Sequence, residues 1–344
     1  MTQKRRLLEL DALRGIAALL VALYHYTTRY DDLFGHQVNM LFDIPWGHYG
    51  VQLFFVISGF VIFMTLEKTQ RPMDFIVSRF SRIFPAYWSA LIVTGSFLFF
   101  FDLPGREFEL FNFIVNLSML QEWFFIPHID GVYWTLTIEI TFYAIMLIIY
   151  LSKGLPHIEI ISGIWLIVLV LIQYLKSFEL LVLPSRLDML LLNGYAQFFI
   201  SGMMFYRLRH SLTLKRNLLI IISTVVSLIT ADLMLFYVHS MVAIIFYLIH
   251  FQRISLLANP LFVYFGTISY SFYLVHQNIG YLVIRYLYEF TASFYLIIIL
   301  PLFVSISLAS LITWFIEKPA LSAIRIYYKG LSQSILYREN NEKN

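Results

Sequence analysis

The sequence predicts an all-α polytopic membrane protein of about ten transmembrane helices, and three observations carry that prediction. Of 344 residues, 60% are hydrophobic and 13% charged, where a soluble domain averages about 25% charged. The apolar residues gather in runs long enough to cross a hydrocarbon core of about 30 Å. No hydrophilic block is long enough to form a soluble domain, so residues 1–320 read as one membrane domain and 321–344 as a short tail.

The spans fall at about 10–28, 49–66, 84–101, 133–151, 158–175, 189–206, 218–232, 240–252, 261–283 and 294–316. The seventh and eighth are short for a bilayer. With successive links on alternate sides, eighteen of the 24 Lys and Arg share the side of the N-terminus and five lie opposite, the last being Arg14 inside the first span. The positive-inside rule then puts both termini in the cytoplasm. MTQKRRLLELDALRG has a basic start, but a full-length span follows it without a small-residue cleavage site, so no cleaved signal peptide is expected. There is no cysteine, which excludes disulfides, thiolate metal sites and an acyl-cysteine intermediate. No repeat and no pair of broken helices points to a common transporter fold.

The first span sets the pattern. LDALRGIAALLVALYHY, residues 10–26, holds Asp11 and Arg14 at its start and His25 near its end. Arg14 and His25 are eleven residues apart, so at about 100° per residue they differ by about 20° around the axis and share one face. A rise of about 1.5 Å per residue separates them by roughly 16 Å in depth. Ionisable groups inside a membrane helix are costly and mark functional sites. This stripe reads as a polar path into the membrane.

The first outer loop, 29–48, holds Asp31, Asp32, His36, Asp43 and His48 at spacings that fit no metal-ligand pattern. It reads as a solvated polar loop, and no metal is expected. In the second span, YGVQLFFVISGF, Ser58 and Gly59 read as packing residues. Gln52 shares a face with Gly59, which either lines the cavity of His25 or packs on a neighbour. In RPMDFIVSRFSRIFPAYW, Arg79 and Arg82 are neighbours on a helix, and Pro85 allows entry to the next span. The two arginines read equally as a headgroup anchor or as a clamp for a phosphorylated ligand, because paired guanidiniums match phosphate oxygens. The stretch 102–132 carries Phe108, Phe111, Phe113, Trp123, Phe124 and Phe125, which read as an interfacial belt.

The fourth span opens with YWTLTIEITFY, in which Trp134 stands at the mouth and Thr135, Glu139 and Tyr143 recur at four-residue spacing on one face. Glu139 lies well inside the apolar run. It either orients or charge-pairs an imidazole or forms a structural pair with an arginine. The sixth span is glycine-rich, which packing explains. In the ninth span Ser269, Tyr273, His276 and Gly280 make one stripe, with Ser271 and Gln277 off it as packing residues. Glu317, at the end of the last span before Pro319, is expected to meet an arginine.

Six stretches in this order, LDALRGIAALLVALYHY, YGVQLFFVISGF, RFSRIFPAYW, WTLTIEITFY, SYSFYLVHQ and FIEKPA, resemble the integral-membrane acyltransferase family known as acyltransferase type three. The resemblance covers about residues 10–320. One departure is Gln52, where many members have Asp after Gly-Val.

The resemblance implies transfer of an acyl group, usually acetyl, from cytoplasmic acyl-coenzyme A to a hydroxyl of an extracytoplasmic glycan or lipid-linked glycan at the bacterial inner membrane. Members of the family often carry an extracytoplasmic esterase-like domain after the membrane part; the tail from about Lys318 is short, so a stand-alone membrane form is expected here. On this reading Arg14, Arg79 and Arg82 hold the coenzyme phosphates. His25 is the general base or, by a ping-pong route, the acyl carrier, and Glu139 orients it or stabilises its imidazolium. Gln52, Ser58, Trp134, Tyr143, Ser269, Tyr273 and His276 line the cavity or contact the oxyanion. The expected partners are the glycan acceptor and membrane lipids, with no nucleic acid. Two other readings stay open: a transporter using intramembrane His, Glu and Arg as a proton path, and a non-enzymatic partner of a glycan assembly complex. Within the enzyme class, a small-molecule acceptor is also open.

Overall fold

The apolar runs fold as helices. The computed structural model describes residues 8–342, and its regular elements among the described residues are all helical. Lys4, Arg5, Arg6 and Lys343 of the expected basic anchors lie outside the described residues, as does the side chain of Arg338.

The long helices, in chain order, are α1 (Leu8–Tyr24), α2 (Gly50–Leu66), α3 (Pro72–Phe100), α4 (Trp134–Leu151), α5 (Ile158–Ser177), α6 (Ala196–Leu208), α7 (Leu214–Thr230), α8 (Leu233–His250), α9 (Pro260–Leu287), α10 (Phe294–Ile312) and α11 (Lys318–Glu342). Each of the ten expected spans overlaps one of the helices α1 to α10. Among the described residues, six segments are long and apolar enough to cross a membrane: Pro45–Leu66, Pro72–Phe100, Gly131–Leu151, Leu155–Ser177, Leu233–His250 and Phe294–Leu331. The protein is therefore an all-α polytopic membrane protein. Helices α1, α6 and α7 are shorter, at 17, 13 and 17 residues, and α9 is interrupted by His276, Gln277, Asn278 and Arg285.

The outer surface is built for lipid. Along α5, Ile160, Ile164, Ile167 and Leu171 recur at helical spacing and are all exposed. At the centre α1 packs along α9, with α2 beside α1, and with α10 and α3 against α9. Helix α6 packs on α2, and α7 fills the space among α5, α6 and α8. The α2–α6 crossing is close because Gly59 and Gly202 allow it: a Cβ at Gly59 would overlap the Phe199 carbonyl, and one at Gly202 the Val56 carbonyl.

Helix α3 departs from expectation. The arginine segment and the span after it form one 29-residue helix that passes through Pro85. Two carbonyls around the proline take side-chain donors. Tyr270 donates to the Ile83 carbonyl at 3.1 Å and Ser89 to the Pro85 carbonyl at 2.7 Å. The segment after Glu317 folds back on α3, where Tyr328 donates to Asp74 at 2.8 Å and Arg325 to Ser81 at 3.3 Å.

Candidate active site

Where α1 ends, His25 begins a π-turn, His25–Arg29, before α-helix resumes at Tyr30–Phe34. Such turns inside helices gather at functional sites, because the extra residue re-aims the side chains around it. His36 holds this turn in place: its Nε2 meets the carbonyls of Tyr26 and Thr27 at 3.0 and 3.1 Å, and its Nδ1 meets the Tyr288 hydroxyl at 2.5 Å. Tyr26 in turn donates to the His276 carbonyl at 2.8 Å, tying the turn to α9. The reading of the first loop as solvated therefore fails at His36 and His48. His36 turns inward to the carbonyls of the π-turn, and His48 lines the chamber described next.

Two chambers lie along α1. The larger, about 430 Å³, is lined by His25, Gln52, Trp134, Gln277 and, at its partly exposed rim, Arg29, His48 and Arg106. The smaller, about 50 Å³, is lined by Arg14, Glu139, Ser269 and Tyr270. Val51 and Tyr273 belong to both walls, so the chambers abut there. Tyr273 is held across the boundary by Thr135 Oγ1 at 3.0 Å and the Val132 carbonyl at 3.3 Å.

His25 and His276 form a hydrogen-bonded pair, with Nδ1 of His25 3.1 Å from Nε2 of His276 and the rings 4.9 Å apart at 66°. The surrounding carbonyls decide which nitrogens carry protons. His276 Nδ1 lies 2.8 Å from the Tyr273 carbonyl, so it donates there, and its Nε2 is left as an acceptor. His25 Nδ1 then supplies the hydrogen, which it shares with the Val21 carbonyl at 2.8 Å. The remaining nitrogen, His25 Nε2, carries a free lone pair.

Glu139 sits in the other chamber, accepting hydrogen bonds from Ser58 at 2.9 Å and Tyr143 at 2.5 Å within electrostatic reach of Arg14 and Arg79. Of its two sequence readings, the structure gives the arginine neighbourhood, and His276 takes the place beside His25. Ser58 and Tyr143 thus serve Glu139 and are not among the chamber-lining residues, whereas Gln52, Trp134, Ser269 and Tyr273 are.

Arg14, which lines the smaller chamber, belongs to a cluster of arginines. Arg82 is ion-paired with Glu317, which also accepts from Ser271 at 2.9 Å. Arg79 donates to Ser78 at 3.0 Å, while its buried Nε has no partner among the described residues. Arg325, absent from the sequence reading, donates to Ser78 at 3.3 Å and lies within reach of Arg79 and Arg82. Four guanidiniums, with Arg14, therefore form this cluster, offset in part by Glu139, Glu317 and Asp11.

The sequence reading places Gln277 among packing residues and gives Arg106 and Arg29 no role, yet all three line the larger chamber. Gln277 follows Tyr273 by four residues, a helical neighbour of the stripe, and that spacing was the available signal. Arg29 and Arg106 come from the π-turn and a loop, where no periodicity applies.

A family model described as an acyltransferase domain matches residues 7–315. The chain belongs to this acyltransferase family. The match takes in helices α1 to α10, and so both chambers and the histidine pair. Within curated relatives, the chain is similar to nodulation protein 10 of Rhizobium leguminosarum bv. viciae, at 32% identity over 155 residues, 39% of this chain and 41% of that protein. It is similar also to the exopolysaccharide production protein ExoZ of Rhizobium meliloti, at 29% identity over 136 residues, 35% of this chain and 39% of that protein. The match thus spans about two-fifths of the length of these relatives. No solved structure matches the chain.

Proposed function

We propose that the protein is an O-acyltransferase of the bacterial inner membrane, its termini cytoplasmic, that moves an acyl group from acyl-coenzyme A to a hydroxyl of a surface glycan on the far side. Acetyl is the group expected. The observation that carries this reading is the pair of abutting chambers along α1, with the Arg14 guanidinium in one and the His25 imidazole in the other. A donor with phosphates at one end and a thioester at the end of a long arm has the same polarity. A glycan acceptor is supported by similarity to a protein named for exopolysaccharide production.

On this reading Arg14, Arg79 and Arg325 hold the phosphates, with Arg82 braced by Glu317. The pantetheine arm passes Val51 and Tyr273 and brings the thioester beside His25. His25 Nε2 takes the proton of the acceptor hydroxyl as its oxygen attacks the thioester carbon. The carbon–sulfur bond breaks, and the imidazolium returns the proton to the leaving thiolate. His276, accepting from Nδ1, holds the ring and stabilises the imidazolium.

The test is mass spectrometry of the surface glycan in native cells, a deletion strain, and the deletion strain complemented with His25→Ala at verified expression. Loss of the acetyl mass on deletion, not restored by His25→Ala, is expected. Full restoration by His25→Ala would move the reading to a transporter or scaffold.

A further inference from the structure

We propose that the larger chamber selects an acceptor bearing a negative charge close to the hydroxyl to be acylated, a sugar carboxylate or a phosphate, and that Arg106 reads that charge. The proposal rests on the acyl-transfer reading above.

The lining of this chamber is one-sided in charge. It includes Arg29, Arg106, His25 and His48, with no Asp or Glu among the lining residues described. Arg29 meets Asp32 at 3.7 Å with the side chains 41% and 54% exposed, a long and wet ion pair that neutralises little. Arg106 makes no ion pair among the described residues. The carboxylate within its electrostatic reach, Asp130, is fully buried and already accepts from the backbone N–H groups of Val132 and Asn278.

The space in front of Arg106 is kept open by Gly131. A Cβ there would stand 3.2 Å from Arg106 Nη1 and 2.7 Å from Gln277 Oε1, so guanidinium and amide converge on a gap that any larger residue would fill. Gln277 is 3% exposed, and its Oε1 and the Oε1 of Gln52, another lining residue, are both buried with no partner among the described residues. Buried polar atoms without partners are costly unless something meets them. Sugar hydroxyls donate to the two amide oxygens, and Trp134 offers a flat apolar wall to a sugar ring. A neutral sugar satisfies those groups and leaves the guanidinium unmet. A charged one satisfies all of them.

Two other roles for Arg106 give different kinetics. Stabilising the oxyanion would lower kcat for every acceptor, charged or neutral, while anchoring to lipid headgroups would leave acceptor preference untouched.

The experiment uses the full-length protein in lipid nanodiscs and two matched pairs of probes. One pair is tetragalacturonate and its carboxyl-reduced product, the other farnesyl diphosphate and farnesol. Binding is measured by calorimetry, and transfer is read separately from radiolabelled acetyl-CoA. The anionic member of at least one pair is expected to bind about tenfold more tightly than its neutral match, with the advantage shrinking as salt is raised. Arg106→Gln should bring the two affinities together, and Arg106→Lys, which keeps the charge, should restore part of the difference. Where transfer occurs, the loss should fall on KM for the charged acceptor. Preference for the uronate assigns the charge to the sugar, and preference for the diphosphate assigns it to a carrier lipid. Equal binding within both pairs, no binding of either anion, or a preference that survives Arg106→Gln overturns the proposal. Absence of label on every probe and on the cell's own glycan fails the acyl-transfer reading instead, whatever the binding shows.

Discussion

Nε2 of His276 stands 3.1 Å from Nδ1 of His25, across 251 residues of sequence and between the two helices that pack at the centre of the bundle. The relationship fixes more than position. Because His276 spends its own Nδ1 hydrogen on the Tyr273 carbonyl, His25 must donate through Nδ1, and its lone pair must face the other way. An imidazole held by a second imidazole is a neutral counterpart of one held by a carboxylate.

Removing the base and removing its holder should therefore differ. His25→Ala is expected to lower acetyl transfer by about 10³-fold, within the range of a positioned general base. His276→Phe should cost about tenfold to a hundredfold in kcat with little change in KM for either substrate, since His25 keeps the Val21 carbonyl but loses the second acceptor. Steady-state kinetics of purified variants across pH decide the matter. If His276→Phe changes neither kcat nor the pH–rate profile, its role is confined to packing.

The Arg82–Glu317 pair should behave as a buried bridge that is costly to break from one side. Glu317 is 1% exposed and Arg82 30%. Arg82→Gln removes the ion-pair partner of this carboxylate and leaves it the hydroxyls of Ser271 and Thr313. The expected loss is roughly 2–3 kcal/mol, less than for a fully enclosed pair because water reaches Arg82. Thermal unfolding in detergent should show the Arg82→Gln, Glu317→Gln double variant more stable than Arg82→Gln alone; a double variant that is worse would contradict this account.

Stability near pH 5 should conceal two opposed contributions from the loop ahead of α4. Burial pushes the Asp130 carboxyl up from 3.8 to about 6, so the stability it adds is complete below 3.8 and is lost as pH rises to about 6. Burial pushes His128 down from 6.5 to about 4, so its cost is paid at low pH and relieved as pH rises from about 4 to 6.5. Each amounts to about 3 kcal/mol, and between pH 4 and 6 they nearly cancel. Asp130→Asn should expose a rise of the unfolding midpoint with pH, and His128→Gln a fall. Parallel profiles for both variants would refute the assignment.

Much of this was legible in the sequence, for a physical reason. Periodicity reports what one helix does, and the Arg14–His25 stripe, the Ser269–Tyr273–His276 stripe and the small residues at the α2–α6 crossing all came through that channel. The meeting of His25 with His276 lies between helices and leaves no periodic trace. The π-turn was hidden because an extra residue per turn changes hydrogen bonding without changing composition. Glu139 was the instructive case. Its depth announced a partner, yet only packing decided that the partners are Ser58, Tyr143 and the arginine cluster rather than an imidazole.

Among the arginines, Arg79 should matter most to the donor. Arg82 is already committed to Glu317, whereas Arg79 has a buried Nε with no partner among the described residues and lies within reach of Arg82 and Arg325, whose like charges repel it. A bound polyanion relieves that repulsion, so part of the binding energy comes from the protein itself. Arg79→Gln is expected to raise KM for acetyl-CoA about tenfold to a hundredfold, with kcat nearly kept, and to weaken the inhibition of transfer by free coenzyme A to the same degree. Arg79→Lys should recover only part, because an ammonium keeps the charge but not the planar fork. The measurement is acetyl transfer at varied acetyl-CoA and fixed acceptor. A fall in kcat at unchanged KM would move Arg79 from holding the donor to supporting the fold around Glu139.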